Sequence, residues 1–323
     1  MTSPYPSELR RSTLSNRWVI VAAGRAKRPI DWRPPDSAHK RDPFDPANIK
    51  PAEVIARYPE EGDWQVLVLE NTFAMLTPGD SPNLRGNQRD GYGKHELVIH
   101  SPQVDKDLDV LPVEHVDTVL EAYIQRYREL SKMPHIKYVQ IFTNRGEAAG
   151  ASLAHPHTQI LALPVIPGYI GELVRASGEH HVAHGGFVVD DERDRASART
   201  DRLVLENEHF LAHCPFAPLD DYHVCVIPKQ PHHTFEAMDA AQRRSLAEIW
   251  TGVLQRLNAV VGSVPYNAFI RTAPVGDAPE GFCWHVDFVS RVNMIGGLQV
   301  SAELFVITVP PETAAQKLRD AVT

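Results

Sequence analysis

HELVIH (residues 95–100) and HVCVIP (residues 223–228) are two strand-like runs that begin 128 residues apart, each opening on a histidine. Two later histidines, His157 in AHPHTQI and His285 in FCWHVDF, keep the same 128-residue separation. Between these markers each half carries an amphipathic helical pattern. Apolar side chains recur at three- and four-residue steps at Val116, Leu120, Tyr123, Ile124 and Tyr127, and again at Leu246, Ile249, Trp250, Val253, Leu254 and Leu257. Further strand-like runs, KYVQIF from Lys137 and YNAFIR from Tyr266, follow in the same order. A long-period repeat of strands around a helix predicts an α+β protein of two similar units, each a mainly antiparallel sheet with a helix on one face. The units are expected at residues 1–165 and 166–323; a chance coincidence of a few histidines is the competing reading.

A chain of 323 residues with 43% hydrophobic content is long enough to fill about two cores. With 33 Lys and Arg against 41 Asp and Glu, the formal charge of −8 offers no general attraction for nucleic acid or an anionic membrane, so a phosphate site must be local. No apolar run approaches the roughly 20 residues that span a bilayer, and MTSPYPSELRRS has no apolar signal core. The expectation is a cytoplasmic protein with neither nucleic-acid nor membrane partners. Its three cysteines, Cys214, Cys225 and Cys283, suggest neither a disulfide framework nor a CxxC metal knuckle. The polar stretch Ser177–Thr200 reads as an exposed connection between the halves, and the proline-rich Asp31–Pro51 as an extended arm or irregular loop.

The densest concentration of chemistry is NRGEAAGASLAHPHTQI, from Asn144 to Ile160. Its small residues, from Gly146 to Ser152, would let backbone amides approach an anion closely. In extended backbone His155, His157 and Gln159 share one face, and Pro156 stiffens it. A neutral imidazole there can attack phosphorus without first losing a proton, while the Gln159 amide can donate to a phosphoryl oxygen as charge builds. A pair of histidines simply hydrogen-bonded within a strand is the bland alternative; a zinc pair lacks further ligands nearby. Arg25 and Arg28, after the strand-like RWVIVAA, suit a bidentate phosphate clamp or an ordinary solvated charge run. Asn71 and Phe73 in ENTFAML could hold a nucleobase, or Phe73 could be core.

Taken in order, RWVIVAAGRAKRP, LENTFAML, FTNRGEAAGASLAHPHTQ and PPETAAQKLR make the chain resemble the galactose-1-phosphate uridylyltransferase family of the histidine-triad superfamily. ALPVIP after the histidines is similar to the branch that includes ADP-glucose phosphorylases. The resemblance implies two fused histidine-triad-like units and a homodimer whose active sites take residues from both subunits. It further implies ping-pong transfer of a nucleoside monophosphate through a covalent nucleotidyl-histidine. By position His157 matches the nucleophile and Gln159 its supporting amide, with His155 beside them. Asn144, Gly150 and Ser152 match the phosphate loop, Arg25 and Arg28 the phosphate-binding arginines, and Asn71 and Phe73 the nucleoside contacts. The implied substrates are a nucleotide sugar and a phosphorylated sugar or phosphate.

The chain also departs from that pattern. Asp42 and Asp45 stand where the family has two zinc-binding cysteines, and Val104 where it has a ligand histidine, so the structural zinc is expected to be lost and no cofactor is expected. Glu172, His285 and Asp287 match remnants of a second metal site, with Arg271, Thr272 and Cys283 near its other positions; whether a metal remains there is left open. Leu298 and Gln299 replace an aromatic and a Glu that contact sugar hydroxyls, which puts galactose recognition in doubt. Three functions follow: a nucleotidyltransferase, a nucleotide-sugar phosphorylase, or a nucleotide-binding relative without turnover.

Overall fold

In the computed structural model, residues 8–11, 18–21, 42–79, 84–85, 87–190 and 201–321 are described. Fourteen strands fall among them. The first two are β1 (Glu8–Arg11) and β2 (Trp18–Val21), followed by β3 (Val54–Tyr58), β4 (Val66–Glu70), β5 (Leu84–Arg85), β6 (Gln88–Asp90) and β7 (Lys94–Ile99). Next come β8 (Tyr138–Arg145), β9 (His157–Leu163), β10 (Leu203–Glu206), β11 (Phe210–His213), β12 (Val224–Pro228), β13 (Tyr266–Arg271) and β14 (His285–Ser290). The helices are α1 (Val113–Ser131), α2 (Gly168–His184), α3 (Ala240–Val261), α4 (Gly297–Ala302) and α5 (Pro311–Asp320).

Ten strands form one sheet in the order β10-β11-β12-β14-β13-β8-β9-β7-β4-β3, with every neighbouring pair antiparallel. Its two halves have the same connectivity and meet at the β8–β13 seam. The repeat holds at the level of register. Leu97 lies opposite Gln159 on β7 and β9, and Cys225 opposite Asp287 on β12 and β14, each residue 128 positions after its counterpart. The expected α+β architecture is therefore present, with an internal correspondence that extends to single cross-strand pairs. A smaller four-stranded sheet, β2-β1-β6-β5, is separate; β2 lies within the strand-like RWVIVAA of the sequence, whereas the sheet itself has no counterpart in the expectation.

Period-two alternation sends the two faces of the large sheet to different tasks. Val66, Val68, Val98, Ile160, Val226, Val286 and Phe288 join the buried faces of α1 and α3 in one core. Leu67, Leu69, Leu97 and Ile99 point the other way and pack with Phe44. That face, on which Ile170 and Leu173 of α2 pack against Leu161 and Leu163, carries His157 and Gln159. Helix α3 starts on a capping box, with Asp239 accepting from Gln242 N–H and the Gln242 side chain returning to Asp239 N–H.

The polar stretch from Ser177 is not an irregular connection where it is described. Helix α2 runs through its first turns as far as His184, and Ser177 is buried. Only Ile170 and Ser177, two turns apart, are buried along this helix, too narrow a stripe to print an apolar period on the sequence. Residues 191–200 lie outside the described residues, as does most of the expected arm from Asp31. The described part of that arm, from Asp42, is a series of turns.

Trp250 on α3 is fully buried, with its ring 4.8 Å from Phe288 and 6.5 Å from Tyr123 of α1, so it bridges the helices and the sheet. Trp250→Ala is expected to lower unfolding free energy by about 3–5 kcal/mol in urea titrations. A loss under 1 kcal/mol would contradict this packing.

Candidate active site

Strand β9 begins at His157, and the alternation that follows decides where each side chain goes. His157 and Gln159 line a cleft of about 110 Å³ together with Ser152, Asn71, Thr72 and Phe73, over an apolar floor of Phe44, Leu69 and Leu97. Thr158, between them, faces the helices and is wholly buried. There it meets Thr143 Oγ1 at 2.5 Å, Tyr123 Oη at 2.6 Å and His100 Nε2 at 2.9 Å. His100 in turn bonds Asp107 Oδ1 at 3.0 Å. Burial raises the Asp107 carboxyl, but the His100 hydrogen bond and the nearby Arg145 guanidinium help to outweigh it and bring it down to about 2.

His157 is 7% exposed. Its Nδ1 donates to the carbonyl oxygen of His155 at 2.8 Å, which fixes the tautomer and leaves the Nε2 lone pair directed away from that bond. Desolvation, only partly offset by the bond to the His155 carbonyl, pushes the ring down to about 4, so it is neutral near pH 7. A ring in that state can act as a nucleophile at once.

His155 belongs to a different environment. It precedes the strand, so the two-residue alternation does not carry its ring to the cleft. The ring abuts Phe44, as His157 does, but is held away from the cleft, with Nε2 bonded to Ser101 O at 2.8 Å and Nδ1 to Asp42 Oδ2 at 2.7 Å. The sequence expectation of three side chains at one site is corrected to two, with His155 acting through its carbonyl. Of the family's four zinc-binding positions only His155 keeps a nitrogen ligand, Asp42 and Asp45 bring oxygens in place of thiolates and Val104 brings no ligand atom, so the residues at that position do not fit the metal.

The small-residue loop also differs from expectation. Gly146 and Gly150 both have positive φ, +83° and +82°, and close a tight turn on itself. Ala149 N–H and Ala151 N–H donate to Gly146 O, and Gly150 N–H to Glu147 O, so these three amides are not offered to an anion. Neither Gly150 nor Asn144 lines the cleft; Asn144 Oδ1 instead accepts from Asn267 Nδ2, directly across the β8–β13 seam, at 2.8 Å. Ser152, at the loop's end, does reach the cleft. Arg145 holds the following segment through Ala154 O at 2.7 Å.

Asn71 follows β4, its Oδ1 accepting from Phe73 N–H at 2.9 Å, which turns the Phe73 ring to the cleft mouth. Leu298 and Gln299 lie on α4 and do not line the cleft of the same chain. Arg25 and Arg28 lie outside the described residues. A second, larger cavity of about 250 Å³, bordered by His209, Lys229, His232 and Trp284, contains none of the expected site residues.

In the second half, Cys225, His285 and Asp287 approach within 4.8 Å of one another. Asp287, however, already accepts from His223 Nε2 at 3.1 Å and Arg271 Nε at 3.0 Å. Burial opposes its charge, but these partners hold the carboxyl far below the usual range. A guanidinium thus sits against the only carboxylate of the cluster, and the set does not fit a metal ion. Glu172 is elsewhere, exposed on α2 and paired with Arg175.

A neutral imidazole with one nitrogen committed and a side-chain amide beside it in one cleft are chemically suited to covalent group transfer at phosphorus. Comparison with known proteins shows the family. Residues 2–167 match the family model for the N-terminal domain of galactose-1-phosphate uridyl transferase. The chain is 28% identical to an ADP-glucose phosphorylase of Arabidopsis thaliana over 97% of its own length and 92% of the relative's. It is 27% identical to a galactose-1-phosphate uridylyltransferase of Thermotoga maritima, over 97% and 98%. The structure of an Arabidopsis thaliana ADP-glucose phosphorylase with bound ADP-glucose superposes with a TM-score of 0.77 at 26% identity, covering 97% of this chain and 99% of that one. The chain belongs to the galactose-1-phosphate uridylyltransferase family and is a nucleotidyltransferase of that type. Among the described residues no helix is long and apolar enough to cross a membrane.

Because the folded ring of His157 takes its proton near pH 4 while an unfolded histidine does so near 6.5, the unfolded chain gains protons first as pH falls. Stability is therefore expected to drop from pH 6.5 towards 4, and ¹⁵N-histidine NMR should show His157 titrating near 4. A midpoint at 6.5 would mean a solvated ring.

Proposed function

We propose that His157 Nε2 attacks the α-phosphorus of a nucleoside diphosphate sugar. The new N–P bond forms as the bond from that phosphorus to the bridging oxygen breaks, and the electron pair leaves on the sugar 1-phosphate. In the second half-reaction a phosphate oxygen of a second sugar 1-phosphate attacks the same phosphorus and the N–P bond breaks, returning His157 neutral. The observation that carries this reading is the committed Nδ1 of a neutral His157 at the cleft. Gln159 donates to a non-bridging oxygen as charge accumulates, Asn71 and Phe73 hold the nucleoside, and Ser152 meets the phosphates. Arg25 and Arg28 neutralise substrate phosphate, while Asn144 and Gly150 shape the loop rather than contact substrate.

Similarity to an ADP-glucose phosphorylase, together with Gln299 in place of a Glu, favours a second reading in which inorganic phosphate is the acceptor. Labelled phosphate separates the two: only a phosphorylase carries that label into a nucleoside diphosphate, whereas a transferase carries label only from hexose 1-phosphate into the nucleotide sugar. Intact mass measurement after incubation with UDP-glucose, UDP-galactose or ADP-glucose should show one nucleotidyl adduct that disappears in His157→Ala. Gln159→Ala should form it about 10²–10³ times more slowly. No adduct with any sugar nucleotide, or one that survives His157→Ala, would sink the mechanism.

We further infer a cytoplasmic homodimer without a structural zinc. The segment 292–306 displays Met294 at 91% and Val300 at 71% exposure, with Ile295, Leu298, Leu304, Phe305 and Val306 also exposed, more apolar surface than a monomer ordinarily leaves in one place. On this reading Leu298 and Gln299 reach the sugar bound by the partner. Analytical ultracentrifugation should give a dimer that Met294→Asp with Val300→Asp converts to monomer; an unaltered dimer, or a wild-type monomer, would overturn this.

A further inference from the structure

His95 served above only as a marker of the repeat, yet it is buried to 1% exposure directly behind Gln159. Met75 N–H donates to its Nδ1 at 3.2 Å, so that nitrogen is the acceptor and the ring proton is on Nε2. Nε2 lies 3.1 Å from Gln159 Oε1 and therefore donates to it. The Asn71 amide nitrogen stands within hydrogen-bond reach of both ring nitrogens, 3.3 Å from Nδ1 and 3.2 Å from Nε2; with the proton on Nε2, only Nδ1 can accept from it.

The second half repeats this pattern with a partner that removes all choice. Leu219 N–H donates to His223 Nδ1 at 3.1 Å, and His223 Nε2 meets Asp287 Oδ1 at 3.1 Å. A carboxylate that also receives Arg271 can only accept, so Nε2 of His223 is the donor. His223 and Asp287 each lie 128 residues after His95 and Gln159. Two independent copies of the relay thus run in the same direction, from a backbone amide through an imidazole to a side-chain oxygen.

We propose that His95 is a positioning residue that orients the Gln159 amide, holding its oxygen inward so that its NH₂ faces the cleft; its catalytic consequence rests on the role given to Gln159 above. Without that donor the amide can turn over and present an oxygen to a phosphoryl oxygen, replacing attraction with repulsion. His95 touches no reacting atom, and its effect passes entirely through Gln159.

Glutamine places a donor where histidine has Nε2, and asparagine places one near Nδ1, so the two isosteres separate orientation from packing. Single-turnover nucleotidylation of the full-length protein by UDP-glucose or ADP-glucose should slow about tenfold or more in His95→Asn, with the half-saturating donor concentration within threefold of wild type. His95→Gln should stay within about fivefold of the wild-type rate, and His95→Asn with Gln159→Ala should be no slower than Gln159→Ala alone. Equal rates for His95→Asn and wild type, equal losses in both isosteres, or a multiplicative double variant would overturn the proposal. ¹⁵N-histidine NMR gives a readout that needs no turnover: the His95 proton is expected on Nε2, and a proton on Nδ1 overturns the relay whether or not the protein is labelled. Failure of wild type to form any adduct, with the proton found on Nε2, would strike the mechanism of the preceding section and leave the orientation of Gln159 supported.

Discussion

One hydrogen bond, from Nδ1 of His157 to the main-chain oxygen two residues earlier, determines which nitrogen of that ring can react. Everything nearby serves to keep it in place. The His155 carbonyl is stationary because its own ring is clamped between Asp42 and Ser101, and because Pro156 O accepts from His100 N–H. On the other side Thr158 is held by three oxygen or nitrogen partners within the core. His157 therefore stands between two anchored neighbours, one on each face of the sheet. Such pre-organisation lowers the reorganisation needed when charge develops at phosphorus.

The two halves show how one framework supports different outcomes when a single acceptor changes. Gln159 offers both an acceptor and donors, so after receiving a bond from His95 it has donors left for a ligand. Asp287 has only acceptors, and after His223 has bonded one oxygen the other attracts Arg271. That guanidinium lies 4.5 Å from the Tyr169 ring centre and 4.4 Å from that of Phe269, so the corresponding place in the second half is filled by an internal ion pair lined with aromatic rings. His285 keeps the same bond to the carbonyl two residues earlier, Cys283 O at 3.1 Å, as His157 does. What differs between the halves is the company of the imidazole, not its local geometry.

Much of this was legible in the sequence where a short period carries the information. Helices α1 and α3 and strands β7, β8, β12 and β13 stand where apolar spacing puts them, and His157 and Gln159 share the cleft because residues two apart on a strand do so. The reading failed where geometry is decided by contacts that composition does not encode. Gly146 to Ser152 has the residue types of an anion cradle, but the amides of Ala149, Gly150 and Ala151 close on the loop's own carbonyls. His155 missed the cleft because the strand begins two residues later. Asp42 was legible as the loss of a thiolate, not as the partner of His155, a contact 113 positions away. Helix α2 hid because its buried stripe is so thin, and His95 because nothing in a lone histidine announces what lies behind it.

The β8–β13 seam makes the halves inseparable. Five residue pairs, from Tyr266 opposite Arg145 to Ile270 opposite Ile141, zip the two five-stranded groups into a continuous ribbon. Cutting the polypeptide between the groups and parting the pieces would bare a long hydrogen-bonding edge on each, inviting adhesion to any stray strand. The repeat makes the halves mutual chaperones: each shields the other's most adhesive border, so neither can be discarded.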